Sequence, residues 1–293
     1  MSFVISTDTS ANLPTAELQW HQLYLLPFSY IVNEVEHQCL DLSAFDGDAY
    51  YEMLRHTPAS TSMISMDQYR QLWEPLLEEG HDILHVGMSS GISGAYQSAV
   101  MAARELREEY PQRRLVVFDT RAASLGEGIQ VLHAATCREA GYTLDETVRE
   151  LAELRPRIRQ IFTVDDLMHL RRGGRVSGVA AAVGTALRIK PLLKGDEAGR
   201  IVVFGKVQGR KRSVRALADN FAANAELLGR WPIGIAHAGC RDEALALAAM
   251  LKESDPKARI IIVDYEPVTG SHVGPGALAM FYVAKEPWPS AIC

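Results

Sequence analysis

ILHVGMSSGISGAYQSAVMAARELREEY, Ile83 to Tyr110, runs from a strand through a turn into a helix without a spacer. Ile83–Val86 is a short apolar run, the signature of a buried strand. Gly87, Ser89, Ser90, Gly91, Ser93 and Gly94 form a turn of small residues, and a helical pattern carrying Tyr96, Val100, Ala103 and Leu106 follows. Such a junction places backbone N–H groups and hydroxyls at the positive end of a helix, a suitable seat for an anionic oxygen group. Its glycines also permit close backbone approach. An ordinary strand-to-helix turn that binds nothing has the same composition, so the rest of the chain must decide between the two.

Working outward, short strands alternate with helices on both sides. Phe3–Ser6 is a strand leading to Asp8, Thr9 and Ser10, with Pro14 opening a helix. LYLLPFSYIV reads as one apolar strand-like run, Asp46–His56 as a short helix, and ASTSMIS as a loop. Ser65-x-x-Gln68 and Thr143-x-x-Glu146 are capping boxes that start helices. Arg114–Phe118 is a further strand, and Ser124–Ala140 is helical up to Gly141. This alternation predicts a Rossmann-like, doubly wound parallel sheet, whose ligands sit at the carboxyl ends of strands. Three of those ends are rich in hydroxyls: Thr7–Ser10, Ser89–Ser93 and Thr120–Ser124.

The pattern changes near Pro156. IKPLLKGDEAGRIVVFGKV reads as two adjacent strands joined by the turn Asp196–Gly199, which implies a mixed or antiparallel sheet. The expectation is therefore an α/β protein of two domains: an N-terminal parallel one over residues 1–157 and a smaller C-terminal α/β one over 158–293. Val179–Leu187, VAAAVGTAL, is apolar nearly all round and reads as a buried helix.

The chain has 293 residues, 47% hydrophobic and 23% charged, with a formal net charge of −6. That balance argues against a general nucleic-acid binder. Cys39, Cys137, Cys240 and Cys293 form no C-x-x-C pair and no leader segment is evident, so a reduced, cytoplasmic protein is expected. No apolar run reaches the roughly 20 residues needed to cross a bilayer, so stable membrane insertion is not expected.

Gly87-Met88-Ser89-Ser90-Gly91 matches the G-x-S-x-G nucleophile elbow, giving a serine hydrolase using Ser89 with Asp264 and His272 as one alternative. Against it, no oxyanion segment lies upstream, and a ligand cradle explains the same residues. Phosphate-loop and dinucleotide motifs are absent. His81/His85 and His133/Cys137 lack a third ligand, so no metal is expected. Arg171, Arg172 and Arg175, then Lys206, Arg210, Lys211, Arg212 and Arg215, form two basic clusters that suit either a solvated face or a dock for phosphate.

Taken together, STDTSANLP, TSMIS, GMSSGISGAYQSA, FDTRAASLGEG, DLMHLRRGGRVSG, GKVQGRKRS, IAHAG and GSHVGPGALA resemble, in order, the DegV family, the fatty-acid-binding subunits of bacterial fatty acid kinase. The resemblance implies an N-terminal Rossmann-like domain, a smaller C-terminal α/β domain, and a long-chain fatty acid held within and between them. It implies no catalytic residue and no cofactor besides the bound lipid. The carboxylate would rest on Thr61, Ser62, Ser93 and the backbone of Gly94. Arg210 and His272 would serve docking of the ATP-binding kinase subunit or phosphoryl transfer. The acyl phosphate would then pass to phospholipid synthesis. Met63-Ile64 stands where family members often carry Gln-Pro, which bears on the shape of that loop. A carrier of another small ligand remains the other alternative.

Overall fold

The computed structural model describes residues 3–176, 189–227 and 229–288. The segment 179–187, read above as a buried helix, lies outside the described residues. Four parallel strands form the first sheet: β1 (Val4–Asp8), β2 (Tyr24–Leu26), β6 (Ile83–Gly87) and β7 (Leu115–Asp119), in the order β2-β1-β6-β7. Every residue of β6 is buried. The helix after it, Ala95–Glu109, buries Ala95, Ala99, Ala102, Ala103 and Leu106, a stripe at helical spacing. Tyr96 and Val100, expected on that face, lie at its margin, because small alanines are what allow this helix to pack closely on the helix Met66–Glu78. Both capping boxes form as expected, Ser65 with Gln68 and Thr143 with Glu146.

LYLLPFSYIV is not one strand. It is broken after Leu26, with Pro27 at the break, and its second half becomes β3 (Ser29–Val32) in a separate antiparallel sheet, β4-β3-β5. β4 (Val35–Gln38) returns through Asn33 and Glu34, both at positive φ, the backbone that a two-residue hairpin with a mirror-image turn requires. β5 (Ala59–Ser62) covers the first half of ASTSMIS, expected above to be loop.

β8 (Ile158–Thr163) begins a six-stranded mixed sheet in the order β10-β9-β8-β13-β11-β12. The remaining members are β9 (Ile189–Gly195), β10 (Ile201–Gln208), β11 (Ile233–His237), β12 (Ile260–Asp264) and β13 (Leu278–Val283). Only β11 and β12 pair in parallel. The β9–β10 turn falls at Asp196–Gly199 as read from the sequence, with the Asp196 carboxylate accepting from the Ala198 and Arg200 amides. The molecule is thus α/β, one parallel sheet beside a separate mixed sheet.

The helix Leu125–Glu139 joins the two large sheets. Leu125 through Leu132 are all buried, as befits a helix covered on every side. A Cβ added to Gly234 of β11 would lie 2.5 Å from the Leu125 Cβ, so glycine is needed there for the helix to approach. One apolar core runs from Ile5 and Leu84 of the first sheet through this helix to Phe162 and Phe281 of the second.

Candidate functional site

The turn 88–94 behaves differently from the open anion cradle expected of it. Its amides are mostly occupied: Met88 N–H donates to Asp8 Oδ2, Ser90 N–H to Asp119 Oδ1, Gly91 N–H to Ser89 Oγ, and Ser93 N–H to the Ser89 carbonyl. Gly94 N–H has no intramolecular partner among the described residues. The helix itself starts only at Ala95, whose N–H is received by Ser93 Oγ at 3.2 Å. The turn is held against the second sheet, since a Cβ on Gly91 would meet the Ala198 carbonyl at 2.5 Å.

Ser89 is buried. Its hydroxyl donates to the Gly199 carbonyl at 2.9 Å and accepts from Gly91, so both partners are backbone groups. Asp264 faces His237 at 3.2 Å, not His272. A serine nucleophile requires a base within hydrogen-bond reach that is oriented by a third group. Ser89 has neither, and the hydrolase alternative is set aside on that geometry.

Thr61 and His272, 211 residues apart, meet with Thr61 Oγ1 2.9 Å from His272 Nε2. β5 carries the threonine, and the short helix Pro267–Val273 carries the histidine. Glu266 caps that helix, its carboxylate accepting from Val268 and Thr269 N–H. Burial, reinforced by the nearby Arg175 guanidinium, depresses the His272 imidazole to about 4. At neutral pH it is therefore an uncharged hydrogen-bonding ring. Its other nitrogen leaves no room at Gly173, where a Cβ would lie 2.5 Å from Nδ1.

Thr61, Ser62, Ser93, Gly94 and His272 line one cavity of about 240 Å³. Its walls are chiefly apolar, with Phe28, Met88, Phe162, Leu170, Val273 and Phe281 among them, and no described lining residue is a carboxylate. Arg175 is its one guanidinium among the described residues, and that residue is exposed. The arrangement is a chiefly apolar chamber whose polar lining, Arg175 apart, is of neutral groups among the described residues, with Thr61 and His272 in direct contact. Such a lining fits a largely apolar small molecule with a polar group.

Arg210 does not line this cavity. It opens the helix Arg210–Asn224, where Nε donates to both Glu243 oxygens at 3.0 and 2.9 Å and Nη1 stands 3.6 Å from Asp165. Burial would lower its pKa, but the Glu243 carboxylate outweighs this and leaves it raised. Arg210 is a charged group in its own ion cluster, apart from Thr61 and His272.

Three buried carboxyls escaped the reading of motifs. Asp8 accepts from Ser10 N–H and Met88 N–H, while Glu127 accepts from Thr7 Oγ1 at 3.3 Å and Ser10 Oγ at 2.5 Å. Burial raises Asp8; burial and then the Asp8 charge push Glu127 well above its usual range; burial lifts Glu266 to about 7. The signal available was Glu127 inside an otherwise apolar helix, a residue type almost never fully buried without a partner. The Thr7 and Ser10 hydroxyls at the end of β1 thus serve Glu127, and Thr9 Oγ1 accepts from Phe28 N–H. His85, considered above as a metal ligand, is a core residue whose Nδ1 lies 3.1 Å from Ser6 Oγ.

Fold and cavity define the class: an α/β protein of two large sheets and one small one, with a chiefly apolar chamber lined by neutral polar groups. The chain belongs to the DegV family, whose model, "Uncharacterised protein, DegV family", matches residues 2–285. A DegV domain-containing protein of Clostridium perfringens is 36% identical over 97% of this chain and 99% of its own length. One from Lactococcus lactis is 32% identical over 98% and 99%. Among solved structures, a fatty acid binding DegV family protein of Streptococcus agalactiae superposes with a TM-score of 0.84 at 30% identity, covering 98% of this chain and 100% of that one. DegV of Bacillus subtilis, described as a fatty acid binding protein, gives 0.82 at 28% identity, covering 97% and 100%.

Proposed function

We propose that this protein binds a long-chain fatty acid and presents its carboxylate to an ATP-dependent kinase subunit. The observation that carries the reading is the contact of Thr61 with a neutral His272 on a chiefly apolar cavity that Ser93 also lines and that has no carboxylate among its described lining residues. Relatives described as fatty acid binding support it. A tail of on the order of 14 methylenes gains about 0.8 kcal/mol for each one buried, before the costs of association. The tail therefore supplies most of the affinity, and the head group needs orientation. Thr61 and Ser93 hydroxyls and the Gly94 N–H donate to the carboxylate through charge-assisted bonds. Ser62 and Arg175 lie at the rim.

Neutral donors leave the carboxylate reactive, where a buried arginine would hold it as a tight pair. In the partner's active site a carboxylate oxygen bonds to the γ-phosphorus of ATP as the bond from that phosphorus to ADP breaks. The product acyl phosphate stays on this chain, which carries it toward phospholipid synthesis in the cytoplasm. Arg210, outside the cavity, serves the docked partner. The domains 1–157 and 158–293 close on the ligand from either side.

Native mass spectrometry of the purified protein is expected to show a co-purified acyl chain. A protein that arrives empty and takes up no long-chain fatty acid in titration overturns the reading. With ATP and a kinase subunit, hydroxylamine should trap an acyl hydroxamate; Arg210→Ala should abolish that product while leaving fatty-acid binding intact.

A further inference from the structure

A second cavity of about 270 Å³ lies behind the first, lined by Thr120, Arg121, Arg155, Pro156 and Trp288 among others. Among the described residues, only Gln160 and Gly195 line both. Gly195 has no side chain, so the Gln160 side chain is the partition. It is held on every side. Its Oε1 accepts from Ala123 N–H at 2.9 Å and its Nε2 donates to the Arg121 carbonyl at 3.0 Å. A Cβ added to Gly126 or Gly195 would lie 2.9 or 2.7 Å from it. Two glycines thus leave just the space this side chain fills.

Along β8 it lies toward the amino end, away from the carboxyl end that the His272 loop approaches. Gln160 pairs with Phe281, and Thr163 pairs with Leu278 at the carboxyl end of β8. His272 and its loop lead into β13 beside that carboxyl end. Three residues of strand, about 10 Å, therefore separate the Thr163 level from Gln160. Gln160 is thus a wall of the same cavity that Thr61 and His272 line, displaced from them along β8.

We propose that Gln160 is the end wall that fixes the acyl length the protein accepts, and that the chamber behind it is a continuation closed off by this one side chain. This rests on the fatty-acid reading above. The second chamber has a mixed lining: Ala152, Pro156, Ile158, Pro287 and Trp288 offer apolar surface to a longer tail, beside the charged Arg121, Arg155, Asp196 and Glu197. Opening the partition about doubles the space in line with the ligand.

The test is competition binding of saturated fatty acids graded from about 14 to about 22 carbons, read by native mass spectrometry. Gln160→Ala should raise the ratio of longest to mid-length acids bound by about tenfold. Gln160→Asn, which keeps the amide and is the safer variant for folding, should move the limit by a smaller step. Gln160→Met, close in length but without hydrogen bonds, should keep the wild-type profile. Unchanged profiles in the Ala and Asn variants overturn the proposal. So does a Met variant that shifts with Ala, since the loop 121–123 would then be responsible. Wild-type protein that binds none of the acids refutes the fatty-acid reading itself, a result distinct from either.

Discussion

Two sets of hydroxyls sit at strand ends only a short distance apart in sequence logic, yet they do opposite work. At the end of β1, Thr7 and Ser10 donate to Glu127, and Asp8 receives the amides of Ser10 and Met88. At the cavity, the Thr61 hydroxyl bonds, among the described residues, to a neutral His272, and Ser93 Oγ accepts from a helix amide. The first set is fully employed in holding the chain together. The second keeps hydrogen-bonding capacity in reserve inside an apolar chamber. Composition alone does not separate a structural hydroxyl from a ligand-binding one; the separating feature is a buried carboxylate contributed from elsewhere in the chain.

The contrast can be broken most forcefully at Asp8. Asp8→Ala strands two buried amides and should cost about 3 kcal/mol of stability in urea unfolding. A loss under about 1 kcal/mol would mean the acid cluster is not what holds the turn 88–94. Thr61→Val, an isosteric loss of one hydroxyl, should leave the unfolding midpoint nearly unchanged while weakening fatty-acid binding at least tenfold in calorimetry. Equal affinity in that variant would place the head group elsewhere.

A third prediction concerns pH. Glu266 has its folded pKa raised to about 7, so between its ordinary value of 4.5 and about 7 the folded state holds more protons than the unfolded one. Stability from this residue therefore falls as pH rises through that window, by on the order of 1 kcal/mol per pH unit. Glu266→Gln should remove that slope. His272 acts in the other direction: its folded pKa of about 4 lies below the ordinary 6.5, so its contribution is lost as pH falls from about 6.5 toward 4. The smallest effect is expected at Ser62, which is exposed at the rim. Ser62→Ala should change stability by less than about 0.5 kcal/mol, and a large loss of fatty-acid affinity would show that the head group reaches further out than Thr61.

Much of the fold could be read directly. The capping boxes at Ser65 and Thr143, the buried run Ile83–Val86 and the turn Asp196–Gly199 each follow from local chemistry, and each is where it was expected. The small third sheet could not, because ASTS has no apolar alternation and the hairpin at Asn33-Glu34 lacks the usual glycine. The meeting of Thr61 with His272 has no sequence spacing to announce it; family resemblance supplied both residues, and the tertiary fold joins them. Resemblance gave Arg210 and His272 a shared role in docking or phosphoryl transfer; in the fold Arg210 is held by Glu243 and lies near Asp165, outside the cavity that His272 lines. Gln160 was invisible as a site residue because a single polar position in a strand carries no signal until both cavities are seen to share it.

The most direct test is a crystal structure with a fatty acid brominated at its terminal carbon, so that anomalous scattering marks the tail and density marks the head. The account requires carboxylate oxygens within hydrogen-bond distance of Thr61 Oγ1 and Ser93 Oγ, with bromine on the Gln160 side of the cavity. Bromine beside His272, or a lipid lodged outside this chamber, would contradict it.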